Sequence, residues 1–147
     1  MFKPQRIYGI FACLAFAPLL VLITGQSNPQ EQEIRSVIQQ QLDAFNRKDY
    51  DTAYSFASRH IQAKFSRLEF EEMVKDGYPQ IARSRRAVFD KIAFSETENR
   101  AMATVTITGL DRITITANYR MVREDGKWKI DGVMMIHERI PIAYGPD

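Results

Sequence analysis

From Glu33 onward the apolar residues recur at helical spacing. Ile34, Val37, Ile38, Leu42 and Phe45 fall on one side of a helical wheel, and Arg35, Gln39, Gln40 and Asp43 lie elsewhere on it. A stripe with this period predicts an amphipathic helix that buries one face. Asn46-Arg47-Lys48-Asp49 interrupts it, and Tyr50, Ala53, Tyr54 and Ala57 mark the apolar side of a second, shorter helix. Ser66-Arg67-Leu68-Glu69 has the pattern of a capping box, in which the Ser oxygen accepts from a backbone N–H one turn on and the Glu reaches back. It predicts a helix through Phe70, Met73 and Val74, with Gly77 placed to end it in the left-handed conformation. Tyr78-Pro79 then predicts an extended or turn segment.

After residue 86 the period changes to two. Val88, Asp90, Ile92 and Phe94 share one face of a first strand; Ala101, Ala103, Val105 and Ile107 do so in a second. Ile113, Ile115, Ala117, Tyr119 and Met121 form the apolar face of a third, opposite Thr114, Thr116, Asn118 and Arg120. Glu124-Asp125-Gly126 predicts a hairpin turn, because Asp-Gly readily takes the positive φ that such turns need. The fourth strand starts at Lys127, with Trp128 and Ile130 inward, and Gly132 marks a bulge after which Val133 to Ile136 no longer keeps the alternation. Helices first, then an antiparallel meander with one apolar and one threonine-rich face, is the order of an α+β fold. The expected architecture is N-terminal helices packed in the concave face of a curved antiparallel sheet.

The segment before this pattern reads differently. Lys3 and Arg6 are followed by no charged residue until Glu31, and residues 7–24 are almost continuously apolar. Residues 1–27 therefore read as a signal peptide or an uncleaved N-terminal membrane anchor. Gly25-Gln26-Ser27 offers small residues for cleavage, while an apolar run of about 18 residues is long enough to span a bilayer. In either case Lys3 and Arg6 stay on the cytoplasmic side and the rest of the chain faces outward, periplasmic or secreted. Residues 28–32 read as a polar linker, 33–140 as a single domain and 141–147 as a short tail.

Composition removes several function classes. Two of the 20 basic residues belong to the leader, leaving 18 against 18 acidic residues, so the domain lacks the basic excess of a nucleic-acid binder. Arg83, Arg85 and Arg86 form a local basic cluster that reads as solvated surface. The single cysteine, Cys13, lies in the leader, which leaves the domain without a disulfide, thiol nucleophile or thiolate metal site. His60 and His137 lack the neighbouring ligands that a zinc site needs, so no metal is expected. No glycine-rich phosphate loop or nucleophile elbow occurs, and no cofactor is expected.

The opening helix Ile34–Phe45 and Asn46-Arg47-Lys48-Asp49-Tyr50 leading into Ala53-Tyr54 make the first half of a familiar pattern. The second half is the strand pair Tyr119-Arg120-Met121-Val122 and Gly126-Lys127-Trp128-Lys129-Ile130-Asp131-Gly132. Together they resemble the nuclear transport factor 2-like, or cystatin-like, superfamily over about residues 31–137. Phe56-Ala57-Ser58, Met73-Val74 and Tyr78-Pro79 further resemble an uncharacterised bacterial branch of it. The resemblance implies a cone, a bent sheet closing around helices, often with a pocket at its open end. Relatives use that pocket for isomerase or dehydratase chemistry, for small-ligand binding, or as a partner surface, and the fold does not choose among these.

Two sets of side chains bear on that choice. Tyr50, Tyr54, Tyr78, Tyr119 and Trp128 are candidates to line a pocket, although helix and strand periodicity also accounts for them as core. Asp90 is the candidate catalytic residue. Strand parity puts it on the inward face, where desolvation raises a carboxyl pKa toward a general-base value, and the resemblance implies a phenol partner such as Tyr50 or Tyr54. Equally, a bulge turns Asp90 outward, an arginine pairs with it, or it is a charge on an edge strand. The leading reading is a noncatalytic exported module that binds a small apolar or amphipathic ligand, or a protein partner, in the cone. The alternatives are an isomerase or dehydratase with Asp90 as base and a structural envelope protein.

Overall fold

The computed structural model describes residues 28–136; the leader, His137 and the tail lie outside them. Helix α1 (Pro29–Asn46) begins inside the segment whose composition reads as a linker. The Asn28 side chain accepts from the Gln30 N–H at 3.0 Å, and Pro29 in the first turn brings a φ already suited to a helix. Ile34, Ile38, Leu42 and Phe45 are all buried. Asp49 caps α2 (Tyr50–Ser55) by accepting from the Thr52 N–H at 3.1 Å, and Ser58 caps α3 (Arg59–Lys64). The capping box at the head of α4 (Arg67–Gly77) forms in full: Glu69 N–H donates to Ser66 Oγ at 3.3 Å and Ser66 N–H to Glu69 Oε2 at 2.8 Å.

Gly77 does not adopt the left-handed conformation expected of it. It is the last residue of α4, and Gly126 and Gly132 are the positive-φ glycines among the described residues. The chain instead turns at Tyr78, whose N–H donates to the Val74 carbonyl while its own carbonyl accepts from Ile81 and Ala82. Pro79 then heads a further helical turn, α5 (Pro79–Ala82).

Strands β1 (Ser84–Phe94), β2 (Arg100–Gly109), β3 (Thr114–Glu124) and β4 (Lys127–Ile136) make one curved antiparallel sheet in sequential order. Its inner face carries buried Ala101, Ala103, Val105 and Ile107 from β2 and Ala117, Tyr119 and Met121 from β3. Ile113 departs from the expected third strand. It is 54% exposed in the turn before β3, where Arg112 takes a positive φ of 67° and the Gly109 N–H donates to the Ile113 carbonyl. The β3–β4 turn has positive φ at both Asp125 (49°) and Gly126 (76°), the backbone that a two-residue hairpin of matching twist requires.

Besides a register shift at the start of β1, between Ser84 and Arg86, two bulges reset the alternation. In β1, Phe89 pairs with Val105 and Lys91 with Thr104, so Asp90 is an extra residue. Inserting one residue flips the face of everything beyond it. Ala87 and Phe89 before the bulge, and Ile92 and Phe94 after it, therefore all pack on the core, while Val88 and Asp90 are exposed. In β4, Arg120 pairs with Gly132 and Met121 with Ile130, leaving Asp131 as the extra residue. Trp128 and Ile130 before this bulge and Val133 after it all pack in the core, and the strand continues to Ile136. Among the described residues, no helix is long and apolar enough to cross a membrane.

Candidate functional site

Helices α1, α3 and α4 do not fill the whole concavity. Between them and β4 lies a cavity of about 210 Å³ whose lining is mostly apolar. Phe45 from α1 and Phe70 from α4 stack along one side with ring centroids 6.0 Å apart. Ile130 and Val133 of β4 form the opposite wall, and Ile61 and Phe65 lie over it from α3 and its end. The bulge makes that wall possible, because in an unbroken alternation residues 130 and 133, three positions apart, would face opposite sides.

The position of α3 is set by a short cross-link between helices and sheet. Ala57 forms an isolated parallel bridge with Ile130; Ser58 N–H donates to the Ile130 carbonyl at 2.8 Å and Ile130 N–H to the Phe56 carbonyl at 2.9 Å. Ser58, with no exposed surface, donates its hydroxyl to Asp131 Oδ1 at 2.7 Å and accepts from the Ile61 N–H at 3.2 Å. One hydroxyl thus starts α3 and fixes it to the bulge. Tyr54 secures the other end of α3 by donating to the Phe65 carbonyl at 2.6 Å.

Four polar side chains reach the cavity: Gln41, Lys64, Tyr78 and Arg120. The buried Gln41 amide donates to the Ala53 carbonyl at 3.1 Å, and the Tyr78 hydroxyl to the Val133 carbonyl at 3.3 Å. Arg120 takes an unusual route. Its backbone position belongs to the outward face of β3, yet its guanidinium passes over Gly132 on the neighbouring strand and donates from Nη2 to the Asp131 carbonyl at 3.1 Å. A Cβ at residue 132 would sit 2.5 Å from Nη2. The φ of Gly132, 152°, is also one that other residues rarely adopt. Glycine here supplies both the backbone of the bulge and the gap through which Arg120 reaches the cavity.

Of the five pocket candidates Tyr50, Tyr54, Tyr78, Tyr119 and Trp128, Tyr78 alone lines this cavity. Tyr50 packs on Phe45 at 6.1 Å with the Lys75 ammonium over its ring at 5.0 Å, and Tyr54 packs on Phe70 at 5.3 Å. Tyr119 and Trp128 are core residues. Neither the Tyr119 hydroxyl nor the Trp128 indole nitrogen has a hydrogen-bond partner among the described residues, and burial pushes the Tyr119 phenol well above its ordinary pKa.

The expected inward position of Asp90 is overturned. The bulge turns its carboxylate to the outer face, where it is exposed and accepts from Thr106 Oγ1 at 2.7 Å. The desolvation that was to make it a base is therefore missing. No carboxylate, histidine or cysteine is among the residues lining the cavity, and no metal-binding group of three or more acidic, histidine or cysteine side chains occurs among the described residues. His60 and the Arg83, Arg85, Arg86 cluster are exposed.

Sequence reasoning passed over Gln41, Lys64 and Arg120. Gln41 carried a signal: it lies three residues after Ile38 and four before Phe45, on the buried stripe of α1. Lys64 and Arg120 carried none, since parity assigns Arg120 to the opposite face.

Helices preceding a four-stranded meander are shared with solved structures of low sequence similarity. An NTF-2-like protein of unknown function from Shewanella oneidensis MR-1 superposes with a TM-score of 0.55 at 17% identity, over 72% of this chain and 98% of that one. A cystatin-like protein of unknown function from Nostoc punctiforme PCC 73102 gives 0.52 at 12% identity, over 78% and 96%. Aln2 from a Streptomyces species gives 0.51 at 13%, over 74% and 91%. No curated protein matches the chain significantly. These likenesses carry the fold, which is that of the nuclear transport factor 2-like, cystatin-like proteins. At the level of sequence, the model of one family matches residues 27–143, and the chain belongs to that family, described as Domain of unknown function (DUF4864).

Proposed function

We propose that this chain is a noncatalytic small-ligand-binding domain that works outside the cytoplasm, taking an apolar or amphipathic molecule into the cavity between α3, α4 and β4. The observation that carries the reading is the lining of that cavity. It is apolar over most of its surface, holds a few polar groups from different elements, and includes no carboxylate, histidine or thiol. A concave apolar site with a few convergent polar groups is the usual form of a small-molecule site. Proton-transfer chemistry needs a base within hydrogen-bond reach of the substrate, and Asp90 is on the other side of the sheet. Placement outside the cytoplasm rests on the charge and hydropathy of residues 1–27 alone.

The cavity also sets a size. An engineered apolar cavity of about 150 Å³ holds benzene, so 210 Å³ suits one ring with a short side chain, or a chain of equivalent bulk. The test is a titration of the full-length chain with indole and n-heptanol, followed by saturation-transfer NMR, beside a Val133→Trp variant that fills the cavity. Binding by the parent and its loss in Val133→Trp, with the thermal transition retained, is the expected result. Absence of binding by both probes, or unchanged binding by the variant, defeats the reading.

A further inference from the structure

We infer that the cavity selects a small carboxylate with an apolar body, its head group held by Arg120 and Lys64. This deepens the ligand-binding reading above and rests on it. Three observations carry it. The first is charge: of the residues lining the cavity, Lys64 and Arg120 are the charged ones, both cationic, and no acidic residue accompanies them. The second is availability. Neither side chain forms an ion pair among the described residues. The Lys64 ammonium lies 5.4 Å from the centre of the Phe65 ring, and among the described residues the Arg120 side chain makes one hydrogen bond, from Nη2 to the Asp131 carbonyl. A guanidinium has five N–H donors in a fixed fork, so most of the donor capacity of Arg120 is left for a ligand.

The third observation is how Arg120 gets there. Its backbone faces outward, and it lies against the cavity only because Gly132 has no side chain to block the crossing. Arg59 of α3, by contrast, pairs with Asp125 and lies 4.0 Å from Glu124. Arg120 instead lies along an apolar opening, with its hydrogen-bonding edge partly unused. A carboxylate matches this arrangement better than a neutral polar head does. The planar fork pairs with two carboxylate oxygens at once, and the second cation, on α3, adds to the positive potential that draws an anion to the opening. Partial exclusion of water at an apolar mouth strengthens such bonds relative to open surface. A phosphate fits less well, because no glycine-rich loop or row of backbone N–H groups faces the cavity to take its additional oxygens.

The experiment compares three probes of one body: 3-phenylpropanoate, 3-phenylpropanol and 3-phenylpropylamine, each titrated calorimetrically into the full-length chain. The expected order is carboxylate, then alcohol, then amine. The carboxylate should be favoured over the alcohol by about tenfold or more, the scale of one charge-assisted hydrogen bond, and raising the salt concentration should shrink that preference. Arg120→Gln and Lys64→Gln should each bring carboxylate binding down toward the alcohol level. Both residues are exposed, so the thermal transition should be retained and reports that the fold survives. Gly132→Ala should act like Arg120→Gln by displacing the guanidinium. Alcohol binding equal to carboxylate binding overturns the inference and leaves the cavity reading in place; so does tightest binding by the amine. Failure of all three probes overturns both. A carboxylate preference that persists in Arg120→Gln and Lys64→Gln overturns the assignment of the two cations.

Discussion

Replacing Trp128 by alanine is the most severe single test of the packing between sheet and helices. The indole is 1% exposed and packs on Phe94 with ring centroids 6.0 Å apart. A buried tryptophan removes roughly 150–250 Å² from water, worth about 4–6 kcal/mol at 25 cal/mol per Å². Against this stands the indole N–H, which has no partner among the described residues and costs about 1–3 kcal/mol while buried. The net expectation for Trp128→Ala is a loss of about 1–5 kcal/mol centred near 3, overlapping the roughly 3–5 kcal/mol found for emptying such sites and a large share of a typical 5–15 kcal/mol. Trp128→Phe should be far milder, below about 1.5 kcal/mol, since it keeps a ring in place and removes the unpaired donor. Trp128 is the single tryptophan, so urea unfolding must be followed by far-ultraviolet circular dichroism rather than fluorescence. A loss below about 1 kcal/mol for alanine, or a loss for phenylalanine equal to it, would refute the argument.

Three further outcomes are expected. Asp49 and Glu69 accept cap hydrogen bonds and Glu71 is held by Lys75 and Arg67, so all three carboxyls have folded-state pKa values below their ordinary ones. Their contribution is complete above the ordinary carboxylate range and is lost as pH falls through the lowered values. Stability should thus decline below about pH 5, and Glu69→Gln should flatten that decline in acid unfolding curves; an unchanged slope would contradict the cap assignment. Asp90→Asn should alter stability by less than about 0.5 kcal/mol and leave indole binding intact, as expected for an exposed side chain; a large loss in either measurement would show that Asp90 does more than accept from Thr106. N-terminal sequencing of the native protein should find a start near Asn28 if residues 1–27 are a cleaved signal, or the original N-terminus in the membrane fraction if they are an anchor. Intact chain in the cytosol would defeat both readings.

Much of the fold was legible because its patterns are local. The stripe on α1, the capping box at Ser66, the Asp125-Gly126 turn and the inner faces of β2 and β3 each follow from a few adjacent residues. Gly132 announced its bulge because glycine in a strand is costly without a reason. The bulge at Asp90 has no such marker, and counting by twos through it sent the one catalytic candidate to the wrong side of the sheet. Gly77 misled for the opposite reason: a glycine suited to a left-handed cap was followed by Pro79, which starts a new turn and removes the need for one. The cavity was beyond local reading. Its walls come from α1, α3, α4 and β4, brought together across many residues, and Arg120 reaches it by the length of its side chain, against its strand parity.

The sequential strand order has a consequence for how the chain folds. Each pairing in the sheet joins neighbouring strands through a short connection, so the meander can form by successive small loop closures. The contact that fixes α3 over the cavity is different: Ser58 and Asp131 are 73 residues apart. Closing a loop of that length rather than one of about four residues costs roughly 2–3 kcal/mol more in chain entropy. Contacts that span so much sequence also slow folding relative to local ones. The sheet is therefore expected to assemble before the α2–α3 segment docks, and in the folded protein that segment should exchange its amide hydrogens sooner than β2 and β3. The wall of the cavity made last would be the one that opens first.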